Sequence, residues 1–244
     1  MSYRHEEVKP YRDSEEKRSQ IEEMFNNIAP EYDKYNYIVS MNIDKIWRKR
    51  AILSLKKYKP RNVLDIATGT GDLAILINKV LTPESIIGCD ISEGMMQVAK
   101  NKCEKRGIKN IAFAKEDCTA LSYPDNTFDA ITSSFGIRNF QDLDKALSEM
   151  YRVLRPNGHI ALLELSSPTR FPMKQLFPFY AKYIMPQLGY IFSNDKKAYQ
   201  YLPDSIAAFP QGEAMKSILE KIGFKNVTFH RFTGGVCTFY LAEK

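Results

Sequence analysis

The sequence predicts an α/β fold: a doubly wound, mostly parallel seven-stranded sheet closed by an antiparallel hairpin. Three observations predict it. From about residue 60 onward, short apolar runs alternate with amphipathic helical runs, the order that makes parallel strands joined by crossover helices. The first run leads directly into a glycine-rich turn that opens a helix. The chain then ends differently, on two strand-like runs joined by Gly234-Gly235, a hairpin signal.

In chain order, residues 1–60 read as a mostly helical segment. Its first twenty residues are charged and poor in large apolar side chains, so they read as loosely held. Residues 62–67 read as a buried strand and 72–80 as a helix. Residues 85–90 form the second strand, and 94–106 a helix with Met95, Val98 and Ala99 on one side. The third strand is 111–115 and the fourth 128–135, followed by a helix over 142–154. Pro156-Asn157-Gly158 reads as a turn before a fifth strand at 159–165. Residues 227–232 and 236–241 make the closing hairpin. Residues 167–209 interrupt the alternation with a Pro- and aromatic-rich stretch, a cap inserted into a domain spanning 61–244.

Composition narrows the function. Hydrophobic residues at 44% and charged residues at 26% fit a globular protein rather than a disordered one. No apolar run approaches the roughly 20 residues that cross a bilayer, and the N-terminus has no apolar core of a secretory signal. Cys89, Cys103, Cys118 and Cys237 are far apart, which argues against a zinc cluster or disulfide scaffold and fits a cytoplasmic protein. The net charge of +6 permits anionic partners without selecting one.

The chemistry concentrates in the first loop. Gly69 and Gly71 follow a strand that carries Asp65, where a tight turn brings backbone close to a ligand. Asp90-Ile91 ends the second strand, where a carboxylate can accept both hydroxyls of a ribose. This pair fits NAD or S-adenosylmethionine. Asp65 favours the latter, because a carboxylate beside the loop suits an ammonium and a sulfonium and repels a pyrophosphate. Asp117-Cys118 ends the third strand, where a side chain or carbonyl can meet an adenine amino group. The terminal hairpin also replaces the second nucleotide-binding half that a dinucleotide fold needs.

The segments VLDIATGTGDLA, GCDISEGMM, ALSYPDNTFDAITSSFGIRN and KALSEMYRVLRPNGHIALLELSSP resemble the ubiquinone/menaquinone biosynthesis C-methyltransferases. So do FNNIAPEYDKYNYIVSMNIDKIWRK near the N-terminus and SNDKKAYQYLPDSIAAFP in the cap. The resemblance implies the class I S-adenosylmethionine-dependent methyltransferase fold and cofactor contacts at Thr70, Asp90, Asp117, Cys118 and Ser134. It implies methylation of demethylmenaquinol to menaquinol, with a prenylated benzoquinol of ubiquinone synthesis as the nearest alternative. Thr68 stands where many relatives have glycine, and Asp117 where many have Asn.

That reaction needs a reduced, electron-rich ring whose hydroxyl loses its proton. Arg138 and Asn139, after the fourth strand, stand at the carboxyl edge where such sheets bind ligands. The guanidinium can stabilise an oxyanion but stays protonated, so a water held with Asn139 would carry the proton. On position alone, a structural ion pair suits Arg138 equally well; the resemblance favours function. Tyr32 can close over the reacting methyl. His5, His159 and His230 belong to no triad, and no metal-ligand set is visible. The aromatic stretch 171–192 suits a prenyl tail, and with the basic run 45–61 suits transient contact with a membrane surface. A homodimer is compatible with the sequence. Nucleic acid is not expected, because SSFGIRN replaces the Pro-Pro-aromatic motif of base-amino methylation and no RNA-binding module is appended.

Overall fold

Strands β1 (Asn62–Ile66), β2 (Ser85–Asp90), β3 (Ile111–Lys115), β4 (Phe128–Ser134), β5 (Leu154–Leu165), β6 (Lys225–Phe232) and β7 (Cys237–Glu243) form one sheet. The computed structural model describes residues 3–12, 14–192 and 196–244 and orders that sheet β3-β2-β1-β4-β5-β7-β6. β1 to β5 pair in parallel, and only β7 runs against its neighbours β5 and β6. The strand order therefore reverses between β1 and β4, which is where an open α/β sheet holds its ligand.

Helices α1 (Arg4–Glu7), α2 (Lys17–Ile28), α3 (Tyr32–Ser40) and α4 (Ile43–Leu55) precede the sheet. α5 (Asp72–Leu81), α6 (Glu93–Lys105) and α7 (Leu143–Val153) are the crossovers. α7 shows why they form: Leu143, Ala146, Leu147, Met150 and Val153 recur at helical spacing and are all buried, and the Asp142 carboxylate accepts the Lys145 N–H at the start. The cap holds α8 (Met173–Phe179), a π-turn at Tyr180–Ile184, α9 (Met185–Phe192) and α10 (Lys196–Ala208). Its SND triplet, Ser193 to Asp195, lies outside the described residues, as do the Tyr190 and Phe192 side chains. α11 (Glu213–Ile222) leads into the hairpin.

Three expectations need correction. The first residues are held, not loose: His5 is buried against Phe209, Tyr3 bonds Asp144, and the buried Lys17 ammonium donates to His5 O (2.6 Å) and Arg138 O (3.2 Å). Pro156-Asn157-Gly158 does not precede β5 but bulges within it, as pairing jumps from Phe128–Leu154 to Ala130–His159. Lys244 stabilises the bulge by donating to Leu154 O and Arg152 O. His159 is buried under the Tyr58 ring rather than facing solvent.

Candidate active site

The loop after β1 is shaped from behind. Asp65 is buried, and its carboxylate accepts the hydroxyls of Thr68 (2.6 Å) and Thr132 (2.7 Å). Burial pushes its pKa up to about 6, against the pull of those two bonds. Asp65 thus anchors the loop from behind and lines neither of the two cavities in front of it. Thr68 fits because β2 has Gly88 opposite, where a Cβ would stand 2.8 Å from the Thr68 hydroxyl oxygen. Gly136, after β4, is required by close approach: a Cβ there would lie 2.5 Å from the Ala67 Cβ.

In front of the loop is a cavity of about 210 Å³ that brings together Gly69, Asp90, Ile91, Asp117, Cys118, Ser134 and Asn139. Asp90 accepts the Gly69 N–H (2.8 Å) and Ser92 N–H (2.9 Å), which fixes the carboxylate at the rim. Burial raises its pKa despite those bonds. Among the described residues, nothing lies within 4 Å of where a Gly69 Cβ would stand, so the loop leaves open space beside its amide. For Asp117, burial acts upward, but the Thr119 bonds and Arg18 outweigh it and hold the carboxyl below its ordinary value.

Helices α2 and α3 cover this cavity. Arg18 pairs with Asp117 and lines the cavity. Asn26 Oδ1 accepts the Ser92 hydroxyl (2.8 Å) and the Gly94 N–H (3.0 Å). The Thr70 hydroxyl donates to Asp33 of α3 (2.6 Å), and Lys102 bridges Asp33 to Asp72. Thr70 and Gly71 therefore sit in the loop without lining the cavity; Thr70 latches the covering helix. Arg18, Asn26 and Asp33 were invisible to sequence reasoning, because each acts across a long gap in the chain and carries no local motif.

A second cavity, of about 360 Å³ and almost wholly apolar in lining, adjoins the first. Phe25, Tyr32 and Phe135 line both. Tyr32 packs edge-on against Phe25, and burial raises its pKa. Arg138 lines the larger cavity and is buried. Its Nη1 donates to Glu164 Oε1 (2.8 Å), while its backbone N–H meets Glu164 Oε2 (3.1 Å). Its buried Nε has no partner among the described residues. The ion pair and the cavity position thus coexist, the guanidinium being fixed on one side and unsatisfied on another. Asn139 faces the smaller cavity and accepts the Tyr201 hydroxyl (3.0 Å). Arg48, bound to Asp44 and lying 5.1 Å from the Phe135 ring, is a second buried cation on the larger cavity's wall. Glu164, Tyr201 and Arg48 come from three separate elements, and no spacing in the sequence joins them.

Two cavities meeting at a tyrosine, one rimmed by carboxylates and the other apolar with buried cations, suit group transfer between a polar donor and a greasy acceptor. A model of the ubiE/COQ5 methyltransferase family matches residues 12–244. The chain belongs to the ubiE/COQ5 methyltransferase family. Within that family it is 55% identical to the demethylmenaquinone methyltransferase of Bacteroides fragilis, over 100% of both chains. It is 39% identical to the ubiquinone/menaquinone biosynthesis C-methyltransferase UbiE of Geobacter sulfurreducens, over 94% of this chain and 90% of that one. A solved SAM-dependent methyltransferase of Thermotoga maritima, described as a possible histamine N-methyltransferase, matches with a TM-score of 0.63. Its sequence is 18% identical over 92% of this chain and 99% of that one, a likeness of fold. Among the described residues of this ubiE/COQ5 family member, no cluster of three His, Cys, Asp or Glu side chains can hold a metal ion.

Proposed function

We propose that the protein methylates a ring carbon of a prenylated naphthoquinol, turning demethylmenaquinol into menaquinol with S-adenosylmethionine as donor. The observation that carries this reading is the pair of adjoining cavities, with Arg138 and its Nε, unpartnered among the described residues, on the acceptor side. Bound S-adenosylmethionine would supply an electrophilic methyl group to an electron-rich ring carbon and leave as S-adenosylhomocysteine, the ring carbon then giving up its own hydrogen as a proton.

The smaller cavity suits that donor. Asp90 is placed to accept ribose hydroxyls, Asp117 and Cys118 to meet adenine, and the open amide side of Gly69, with Ser134, to line the rest. Asp65, buried behind the loop, is anionic above about pH 6 and favours a cationic ligand in front of it. On the acceptor side, Arg138 stabilises the oxyanion left when a quinol hydroxyl loses its proton. The guanidinium keeps its own proton, because Glu164 and the tyrosine oxygens outweigh the effect of burial. Arg138 and Asn139 hold the water that takes the quinol proton away. Tyr32, at the junction of the cavities, excludes bulk water from the reacting centre.

A second reading, methylation of a prenylated benzoquinol, rests on the dual name of the Geobacter relative. The test is transfer of labelled methyl to short-chain demethylmenaquinone or its benzoquinone counterpart, each with and without dithionite. Product from the naphthoquinone in dithionite alone supports the proposal. Equal rates without reductant overturn the quinol mechanism, preference for the benzoquinol moves the assignment to the second reading, and no product from either refutes both.

A further inference from the structure

The cap helices carry apolar side chains on two faces. Phe177, Ala181 and Met185 point inward and are buried, the ordinary core stripe of an amphipathic helix. Leu176, Phe179 and Tyr183 form a second stripe that faces out, each more than half exposed, and Phe171 just before them is 82% exposed. Across the cavity mouth, Met41 is 70% exposed. Met41 and Leu176 are at once cavity lining and exposed surface, so they mark where the larger cavity opens. Large side chains gathered at one opening are not the scattered apolar residues of an ordinary surface.

The charge on the cap side of this face has one sign. Residues 165–192 contain Arg170, Lys174 and Lys182 and no Asp or Glu. Lys182 lies over the Tyr183 ring at 5.4 Å, and Lys45 over Tyr37 at the same distance, so ammonium groups edge exposed aromatics. The one carboxylate in the first half of α4, Asp44, is buried and bound to Arg48. A second copy of the chain is a poor occupant, because a two-fold contact would set these cations against themselves with no acid in the segment to answer them.

We propose that this face docks on an anionic lipid bilayer, with the Met41–Leu176 opening turned to the lipid so that a tailed acceptor enters the larger cavity without crossing water. The lipid route rests on the prenylated-quinol reading; the docking itself does not. Lys56, Lys57, Lys59 and Arg61 take no part. They lie between the end of α4 and the start of β1, at the amino edge of the sheet, away from the opening.

The test is co-sedimentation of the full chain with phosphatidylcholine vesicles, and with vesicles of equal parts phosphatidylcholine and phosphatidylglycerol, across a salt series. Binding is expected on the anionic vesicles, with release by salt. Lys174→Gln/Lys182→Gln should weaken it roughly thirtyfold, and Lys56→Gln/Lys57→Gln should leave it unchanged. Phe171→Ser/Phe179→Ser, at positions that touch neither cavity, should lose vesicle binding yet methylate a short-chain acceptor as well as wild type. Equal binding to both vesicle types, or unaltered binding by the Phe171/Phe179 variant, overturns the proposal. A dimer in light scattering that this variant dissolves, without vesicle binding, assigns the face to a second copy instead. Intact vesicle binding with no methylation sinks the functional reading and leaves the docking face standing.

Discussion

The two cavities are built by different means. The smaller is assembled from the ends of consecutive parallel strands, and its key contacts are backbone amides meeting carboxylates, as at Gly69, Ser92 and Asp90. The larger is assembled from α2, α3, α4 and the cap, and its polar groups are side chains that hold one another: Arg138 with Glu164, Arg48 with Asp44. A donor site made by strand register has its floor fixed once the sheet forms, with α2 and α3 adding the cover. An acceptor site made by side-chain pairs depends on every helix that covers it, which gives it freedom to take a different shape on the same sheet.

If this division is right, damage on one side should leave the other side's binding intact. The largest expected effect is on the acceptor side. Arg138→Lys should lower single-turnover methylation roughly a hundredfold, the scale of losing an oxyanion donor, because an ammonium cannot both pair with Glu164 and present a second planar N–H. Affinity for S-adenosylhomocysteine, read by calorimetry, should not change. Near-normal turnover would leave Arg138 as the structural partner of Glu164 and nothing more.

Next comes the donor side. Asp90→Ala should weaken S-adenosylmethionine binding by about 1.5–3 kcal/mol, the range for hydrogen bonds to a charged group. Unchanged affinity in a folded variant would break the assignment of the smaller cavity. A smaller effect tests the seam. Tyr201→Phe leaves the buried Asn139 oxygen without its donor and should cost about 1–2 kcal/mol of stability, with a several-fold fall in kcat/KM. A loss of stability with no kinetic change would separate Asn139 from the chemistry.

The smallest effect concerns Asp65 and pH. Its folded-state pKa of about 6 lies above the ordinary 3.8, so the folded chain holds a proton that the unfolded chain releases. Its contribution is complete below the ordinary value and is lost as pH rises through 6. Compared with Asp65→Asn, wild type should therefore lose about 1 kcal/mol of stability between about pH 5 and pH 7. Parallel calorimetric curves for the two proteins would show that burial does not perturb Asp65.

Legibility followed the same division. The sheet, its order of elements and the glycine loop were readable because strand, turn and helix are neighbours in sequence, and Gly69 and Asp90 carry their own turn chemistry. Position put Arg138 and Asn139 at the ligand edge of the sheet but left a structural ion pair equally open for Arg138, and the family likeness alone favoured function. Glu164, which decides how Arg138 is held, sits in an apolar strand and looks there like one polar residue among many. At Thr70 the family likeness implied a cofactor contact, and no local signal showed that its hydroxyl is bonded to Asp33, a partner 37 residues away. The N-terminal residues misled through composition, since Lys17 and His5 are polar types that become buried only when a distant surface is present to cover them.

That distant surface has a consequence in time. The strap carrying Tyr3, His5 and Lys17 rests on Arg138 O, Asp144 and Phe209, which follow it by well over a hundred residues. During synthesis the strap emerges long before its dock exists, and it cannot settle until the chain through Phe209 has been made and folded. Its contacts close loops of more than a hundred residues, so they should form late on refolding and be among the first to go when the protein loosens. Pulse-labelled hydrogen exchange would register this as the Arg18 amide, which donates to Gln141 Oε1, gaining protection after the amides of β1 and β4.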